Sequence, residues 1–280
     1  MRDVFVTDLD GTLLRSDQTL STFTINVLND AIRKGFVISY ATARGLLSSR
    51  AVTAHIEWRH PVILYNGALL YDMQHEAVID GYWLNHIAAD TIIQLGKEYG
   101  VVPFYFALNA ENQERVYHEP LTTYGMVEFK KSRPQDPRFR EVTALEASTD
   151  CRSLVLTYIA EQEQLLPFQR AVTAELGEQV HSHMMQDYYI PNQYFLEFSN
   201  PLATKKEGLR MWARHMDVDP QHITIFGDHL NDRGLFEAAG KRLAVSNSHM
   251  EIVKLADEII ASNNEDGVAR HIQATVLAHR

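Results

Sequence analysis

The chain has 280 residues, 45% of them apolar and 22% charged, the composition of an ordinary globular protein with ample material for a core. Its formal net charge of −10 excludes broad nucleic-acid binding, which needs clustered Lys and Arg against a phosphate backbone. The lone Cys151 excludes an internal disulfide framework and a cysteine-based zinc site, and fits a reducing compartment. At this length, two domains or one domain with a large insertion are expected. No targeting segment is read at the start, and no apolar stretch approaches the roughly 18–20 residues of a bilayer span. A cytoplasmic location with no membrane partner is expected.

The first element is a buried strand at Val4-Phe5-Val6, followed at once by Asp8-Leu9-Asp10-Gly11-Thr12. In extended backbone, residues i and i+2 point the same way, so Asp8 and Asp10 can face one small volume while Gly11 turns the chain behind them. One carboxylate could attack while the other moves protons; a solvated turn is the competing reading. Ser21 reads as the N-cap of a helix with Ile25, Leu28 and Ile32 on one face, ended by Gly35. The strand Phe36–Tyr40 leads into Ala41-Thr42-Ala43-Arg44. A hydroxyl there, backed by N–H groups at a helix start, suits phosphoryl oxygens, although Thr also caps helices. A short helix and a third strand, Pro61–Tyr65, end on Tyr65-Asn66-Gly67-Ala68, which also reads as the turn opening a hairpin at Leu69-Leu70-Tyr71.

From about Trp83 to Asn192 the pattern changes to a compact inserted α/β unit. It holds a helix from His86 to Tyr99, strands near Phe104 and Val116, and a polar loop from Lys130 to Pro137. A strand from Ser153 to Tyr158, a helix from Glu161 to Leu176 and a strand from Gln179 to Met184 follow. Next comes Thr204-Lys205-Lys206-Glu207-Gly208-Leu209, opening a helix with Leu209, Trp212, Ala213 and Met216 at helical spacing. A cation there could neutralise a phosphoryl group, or simply be a solvated lysine. The strand Ile223–Phe226 then delivers Gly227-Asp228-His229-Leu230-Asn231-Asp232. Asp228 can join Asp8 near a hard cation such as Mg²⁺, which takes a few carboxylate oxygens plus water and substrate oxygens. Asp232, one turn on, can be an inner or outer ligand, and the competing reading is a helix cap. The 13 histidines lack the spacing of a helix-borne zinc site and are assigned to surface or packing roles, with His229 as the one that could touch substrate.

Strand and helix alternation at both ends implies a parallel sheet covered by helices, with ligands at the carboxyl ends of the strands. The expected fold class is α/β: a Rossmann-like parallel-sheet core from residues 1–82 and 193–280, with an inserted α/β cap domain at 83–192.

The segments at Asp8, Thr42, Lys205 and Asp228 resemble the four motifs of the haloacid-dehalogenase-like superfamily of aspartate-nucleophile phosphatases. Asn66-Gly67, Ala244–Asn247 and Ser262–Val268 are similar to its Cof-like subgroup. The resemblance implies Asp8 as nucleophile and Asp10 as acid and base. It implies Mg²⁺ held by Asp8, the Asp10 backbone carbonyl and Asp228, with Asp232 supporting it. Leu9, Thr42, Ala43, Lys205 and Asn231 form the implied phosphate-binding set, and the insertion is implied to be a cap that closes over the site and selects the substrate. Two positions depart from the family pattern: Ala43 and Lys206 stand where relatives usually carry glycine. The implied function is a Mg²⁺-dependent phosphatase of small phosphorylated metabolites such as sugar phosphates, acting through an aspartyl-phosphate. A phosphosugar mutase, a haloalkanoate dehalogenase and a non-catalytic metabolite sensor remain alternatives, and neither the substrate nor the oligomeric state follows from any motif.

Overall fold

β1 (Val4–Thr7) is buried along its whole length, as a strand covered on both faces must be. The computed structural model describes residues 3–186 and 190–279. α1 (Thr22–Arg33) starts at Ser21, whose hydroxyl accepts the Thr24 N–H at 2.9 Å. Its buried face is Thr24, Val27, Leu28, Ala31 and Ile32, so the expected stripe is rotated and Ile25 sits at its margin. β2 (Val37–Tyr40) and α2 (Leu46–Thr53) follow. β3 (Val62–Leu64) meets the region after β2 only through a parallel bridge between Ala41 and Ile63. It instead opens a small antiparallel sheet with β4 (Leu69–Asp72) and β5 (Ala77–Gly81). The turn between β3 and β4 places Tyr65, Asn66 and Gly67 at φ of 51°, 53° and 107°. A Cβ on Gly67 would lie 2.2 Å from the Thr204 carbonyl oxygen, so this turn needs glycine for space as well as for conformation.

The inserted unit runs through α3 (His86–Glu98), β6 (Phe104–Leu108), β7 (Glu114–His118), α4 (Tyr124–Lys131), β8 (Phe139–Glu141), β9 (Arg152–Ala160), α5 (Gln162–Leu176), β10 (His181–Gln186) and β11 (Tyr194–Ser199). Its strands form one sheet in the order β10-β11-β9-β6-β7-β8. Ile92 and Ile93 from α3 and Phe168 and Val172 from α5 pack on Tyr105, Tyr158, Leu196 and Phe198 of that sheet. Two sequence expectations change here. Lys130 and Lys131 belong to the last turn of α4 rather than to a loop; only Gly125 and Met126 of that helix are buried, too few to show a helical stripe. β11 pairs antiparallel with both β9 and β10, so this unit spans Tyr82–Ala203 and reaches past the limit read at 192.

The second unit comprises Met1–Gly81 and Thr204–Arg280. After the insertion come α6 (Lys205–Met216), β12 (Ile223–Gly227), α7 (Arg233–Ala238), β13 (Lys241–Val245), α8 (Met250–Val253), β14 (Glu258–Ile260) and α9 (Gly267–Ala278). The five-stranded sheet has the order β14-β13-β12-β1-β2 and every pairing in it is parallel. Register is what assembles the site: Thr7 lies opposite Phe226 on one side and Tyr40 on the other. The residues that follow, Asp8, Asp228 and Thr42, therefore leave neighbouring strands at the same, carboxyl, end of the sheet. α6 buries Leu209, Met211, Trp212 and Ala213, and its Trp212 indole N–H donates to the Pro61 carbonyl at 2.7 Å. Among the described residues, no helix is long and apolar enough to cross a membrane.

Candidate active site

Asp8 continues the β1 ladder by donating its N–H to the Phe226 carbonyl at 2.9 Å. Its side chain is buried, and Oδ1 accepts from Lys205 Nζ at 2.5 Å. Lys205, the first residue of α6, is equally buried and donates a second bond to Asp232 Oδ1 at 2.6 Å. The other oxygen of Asp232 accepts the backbone N–H groups of Asp228 and His229 at 2.9 and 3.2 Å. Asp232 thus ties the loop after β12 to the lysine. Asp228 Oδ1 accepts from the Thr12 hydroxyl at 3.0 Å. One oxygen from each of Asp8, Asp228 and Asp232 lies within 4.8 Å of the others, the one such acidic cluster among the described residues.

The remaining sequence-predicted residues surround this cluster without all joining it. Asp10 is held apart: its carboxylate receives a two-pronged contact from Arg44, Nε to Oδ2 at 2.7 Å and Nη2 to Oδ1 at 2.5 Å. Leu9–Leu13 forms one wide turn closed by the Leu14 N–H on the Leu9 carbonyl at 2.8 Å. Asp8 and Asp10 themselves keep extended backbone angles, φ −68°, ψ 164° and φ −74°, ψ 121°. Leu9 is fully buried, and Thr42 is buried with its hydroxyl accepting the Arg44 N–H at 3.1 Å. Ala43 is exposed beside it. Asn231 is exposed and meets Asn66 at 3.5 Å. Lys206, next to the buried lysine, turns outward to Glu237 at 3.0 Å. His229 accepts the Asp232 N–H as a local cap and its ring lies 5.8 Å from that of His249.

Three supporting residues were not singled out from the sequence. Thr12 closes the opening pentapeptide and steadies Asp228. Asn247 donates to the Gly11 carbonyl at 2.8 Å and accepts the Asn263 N–H at 3.0 Å. Asn263 in turn donates to the Leu14 carbonyl at 3.0 Å. Their only sequence signal is membership of segments that resemble the family.

The electrostatics indicate a shortage of positive charge. Burial, then the neighbouring Asp232, pushes the Asp8 pKa well above the ordinary carboxylate value against the pull of Lys205. Burial and Asp232 likewise push Asp228 up to about 6, with the Thr12 hydrogen bond opposing. Burial disfavours the Lys205 charge, yet Asp232 and Asp8 together hold its pKa above the usual lysine range. Three carboxylates around one ammonium make an oxygen-only, net-negative donor set, which suits a hard divalent cation. The arrangement can hold a metal ion beside the buried Asp8 carboxylate.

These features define a class. The family model of the haloacid dehalogenase-like hydrolases matches residues 5–272, and the chain belongs to that family. It is therefore a hydrolase, and the curated relatives that it matches end to end are phosphatases. One is the 5-amino-6-(5-phospho-D-ribitylamino)uracil phosphatase YitU of Bacillus subtilis, 24% identical over 277 residues, covering 95% of this chain and 94% of that protein. Another is the pyridoxal phosphate phosphatase YbhA of Escherichia coli, also 24% identical over 277 residues and covering 98% of each. The crystal structure of TM0651 from Thermotoga maritima shares the fold, with a TM-score of 0.81 over 98% of this chain and 97% of its own at 24% identity.

Proposed function

We propose that this chain is a Mg²⁺-dependent phosphatase of small phosphorylated metabolites, sugar phosphates among them, working through an aspartyl-phosphate on Asp8. The observation that carries the reading is a buried carboxylate at a strand end, bonded to a buried lysine and flanked by two further acids. An Asp8 oxygen attacks phosphorus in line, and the ester P–O bond breaks with its electron pair on the alcohol oxygen, which takes a proton from Asp10. Water then attacks phosphorus and gives a proton to Asp10 as the bond to Asp8 breaks, so phosphate leaves and both acids return to their starting state. Asp8, Asp228 and the Asp10 carbonyl would hold Mg²⁺, with Asp232 in support. When bound, the ion supplies positive charge to the phosphoryl oxygens. Lys205, the Thr42 hydroxyl, the N–H groups of Leu9 and Ala43, and the Asn231 amide bind the same oxygens.

The inserted unit selects the substrate in this reading. The relatives support a small-metabolite class, since the named substrates of YitU and YbhA are both small phosphorylated compounds. A cytoplasmic setting fits the single cysteine. The test is phosphate release across a panel of phosphorylated metabolites, with Mg²⁺ and with chelator. One dominant compound would name the substrate. No release from any ester in the presence of Mg²⁺ would refute the proposal and favour a non-catalytic sensor.

A further inference from the structure

We infer that Arg44 is a positioning residue that acts through Asp10, an inference that rests on the acid and base role proposed for Asp10. The two acids of the opening motif are held in different ways. The Asp8 side chain is 6% exposed and is fixed by packing and by Lys205. The Asp10 side chain is 47% exposed, so packing cannot fix its rotamer, and the Arg44 fork stands in for packing. Two parallel N–H bonds set the plane of a carboxylate as well as its place, which a single ammonium cannot do.

Arg44 is itself braced. Its side chain is only 18% exposed, and Nη2 also donates to Gln18 Oε1 at 2.9 Å. Its N–H donates to the Thr42 hydroxyl at 3.1 Å, and its carbonyl accepts the Tyr65 N–H at 3.1 Å. Tyr65 and Asn66 both occupy the left-handed region, unusual for two consecutive residues other than glycine and costly for a tyrosine. That strained turn also joins Asn66 N–H to the Thr42 carbonyl at 2.9 Å, so it seats both residues of the second motif at once. The line of contacts runs from the turn to the Arg44 backbone, through the guanidinium, to Asp10. The fork takes one lone pair on each Asp10 oxygen and leaves another free to carry the proton that Asp10 gives to the leaving oxygen and takes back from water. A partly exposed ion pair contributes little to stability, so geometry is what this one supplies.

The experiment is a double-mutant cycle on turnover of the best substrate with Mg²⁺, using Asp10→Ala, Arg44→Ala, the double variant and Arg44→Lys, each checked for native unfolding behaviour. Asp10→Ala is expected to lower kcat by about 10²–10⁴. Arg44→Ala is expected to lower it by about a hundredfold without raising KM, the scale of loss when a reacting group is misplaced by about 1 Å. In the Asp10→Ala background, Arg44→Ala should change kcat by less than about twofold, since its partner is gone. Arg44→Lys should recover only part of the loss, because it cannot make the fork. Losses that multiply in the double variant, or a loss carried by KM alone, would mean that Arg44 acts on the substrate directly and would overturn the inference. If Asp10→Ala retained full turnover, the acid and base reading of Asp10 would fail and Arg44 with it. If Asp10→Ala fell while Arg44→Ala did not, only the present inference would fail.

Discussion

Replacing Lys205 with methionine keeps the apolar stem of the side chain and removes the ammonium that joins Asp8 to Asp232. That group is wholly buried and lies 2.5 and 2.6 Å from the two carboxylates. Its loss leaves the oxygens of Asp8, Asp228 and Asp232 within 4.8 Å of one another without the bridging cation. Breaking a buried pair by removing one partner costs about 3–5 kcal/mol, a large share of the roughly 5–15 kcal/mol that holds a native protein together. Part of the cost is relieved because Asp8, already raised by burial, can take a proton. For turnover, removing one preorganised charge from the transferring group costs about 10²–10³ in kcat, or roughly 2.7–4 kcal/mol. Lys206→Met is the matched control. Its side chain is 33% exposed and its ammonium pairs with Glu237 on the surface, an interaction of about 0–1 kcal/mol, and adjacent helical residues point about 100° apart. Less than about a threefold change in kcat is expected there. The assay is initial-rate phosphate release, with urea unfolding in the presence and absence of Mg²⁺. Mg²⁺ should stabilise Lys205→Met more than the parent, since it replaces the missing charge. If Lys206→Met lost turnover while Lys205→Met kept it, the assignment of the buried lysine to the phosphoryl group would be refuted.

Asp8→Asn should abolish phosphate release, because an amide neither attacks phosphorus nor binds a hard cation well, and chelator should do the same reversibly; full activity in either case contradicts the mechanism. Gly11→Ala would put a Cβ 2.4 Å from Asp228 Oδ2 at a φ of 78°, so the Mg²⁺ concentration for half-maximal activity should rise by about 10–100-fold, as when a supporting contact of a metal ligand is lost. An unchanged Mg²⁺ titration would show that Asp228 is not a ligand. Asp228 also sets a pH dependence for the metal-free protein. Its folded pKa of about 6 exceeds the ordinary 3.8, so between those values the folded state binds more protons than the unfolded one. The stabilisation from its proton is complete below about pH 4 and is lost as pH rises towards 6, on the order of 2–3 kcal/mol. Urea midpoints at pH 4.5 and pH 7, with chelator and then with saturating Mg²⁺, check this; the Asp228→Asn variant should shrink the dependence, leaving the part that the raised Asp8 contributes in the same direction, and a wild-type-like response from it would contradict the assignment.

Local pattern carried a good deal of this molecule. Val4-Phe5-Val6 and Ile223–Phe226 are apolar runs that only a covered sheet accommodates, and the acids just beyond them had to emerge at strand ends. Ser21 announced its cap, and the spacing of Leu209, Trp212 and Ala213 gave α6 its buried face, because each depends on residues within a turn or two. What depended on distant partners was illegible. β11 lay in the stretch read as core until its pairing with β9 and β10 assigned it to the insertion, whereas the hairpin turn read at Asn66-Gly67, a local signal, does pair β3 with β4. Periodicity reports which face of a strand is covered and is silent on which strand lies alongside. The same limit governed the site. The sequence marked Asp8, Asp10 and Lys205 as chemically capable, but their fates were set by neighbours far along the chain: Lys205 between Asp8 and Asp232, Asp10 in the grip of Arg44. A carboxylate's chemistry depends on the charge and solvent around it, and only the folded chain supplies those.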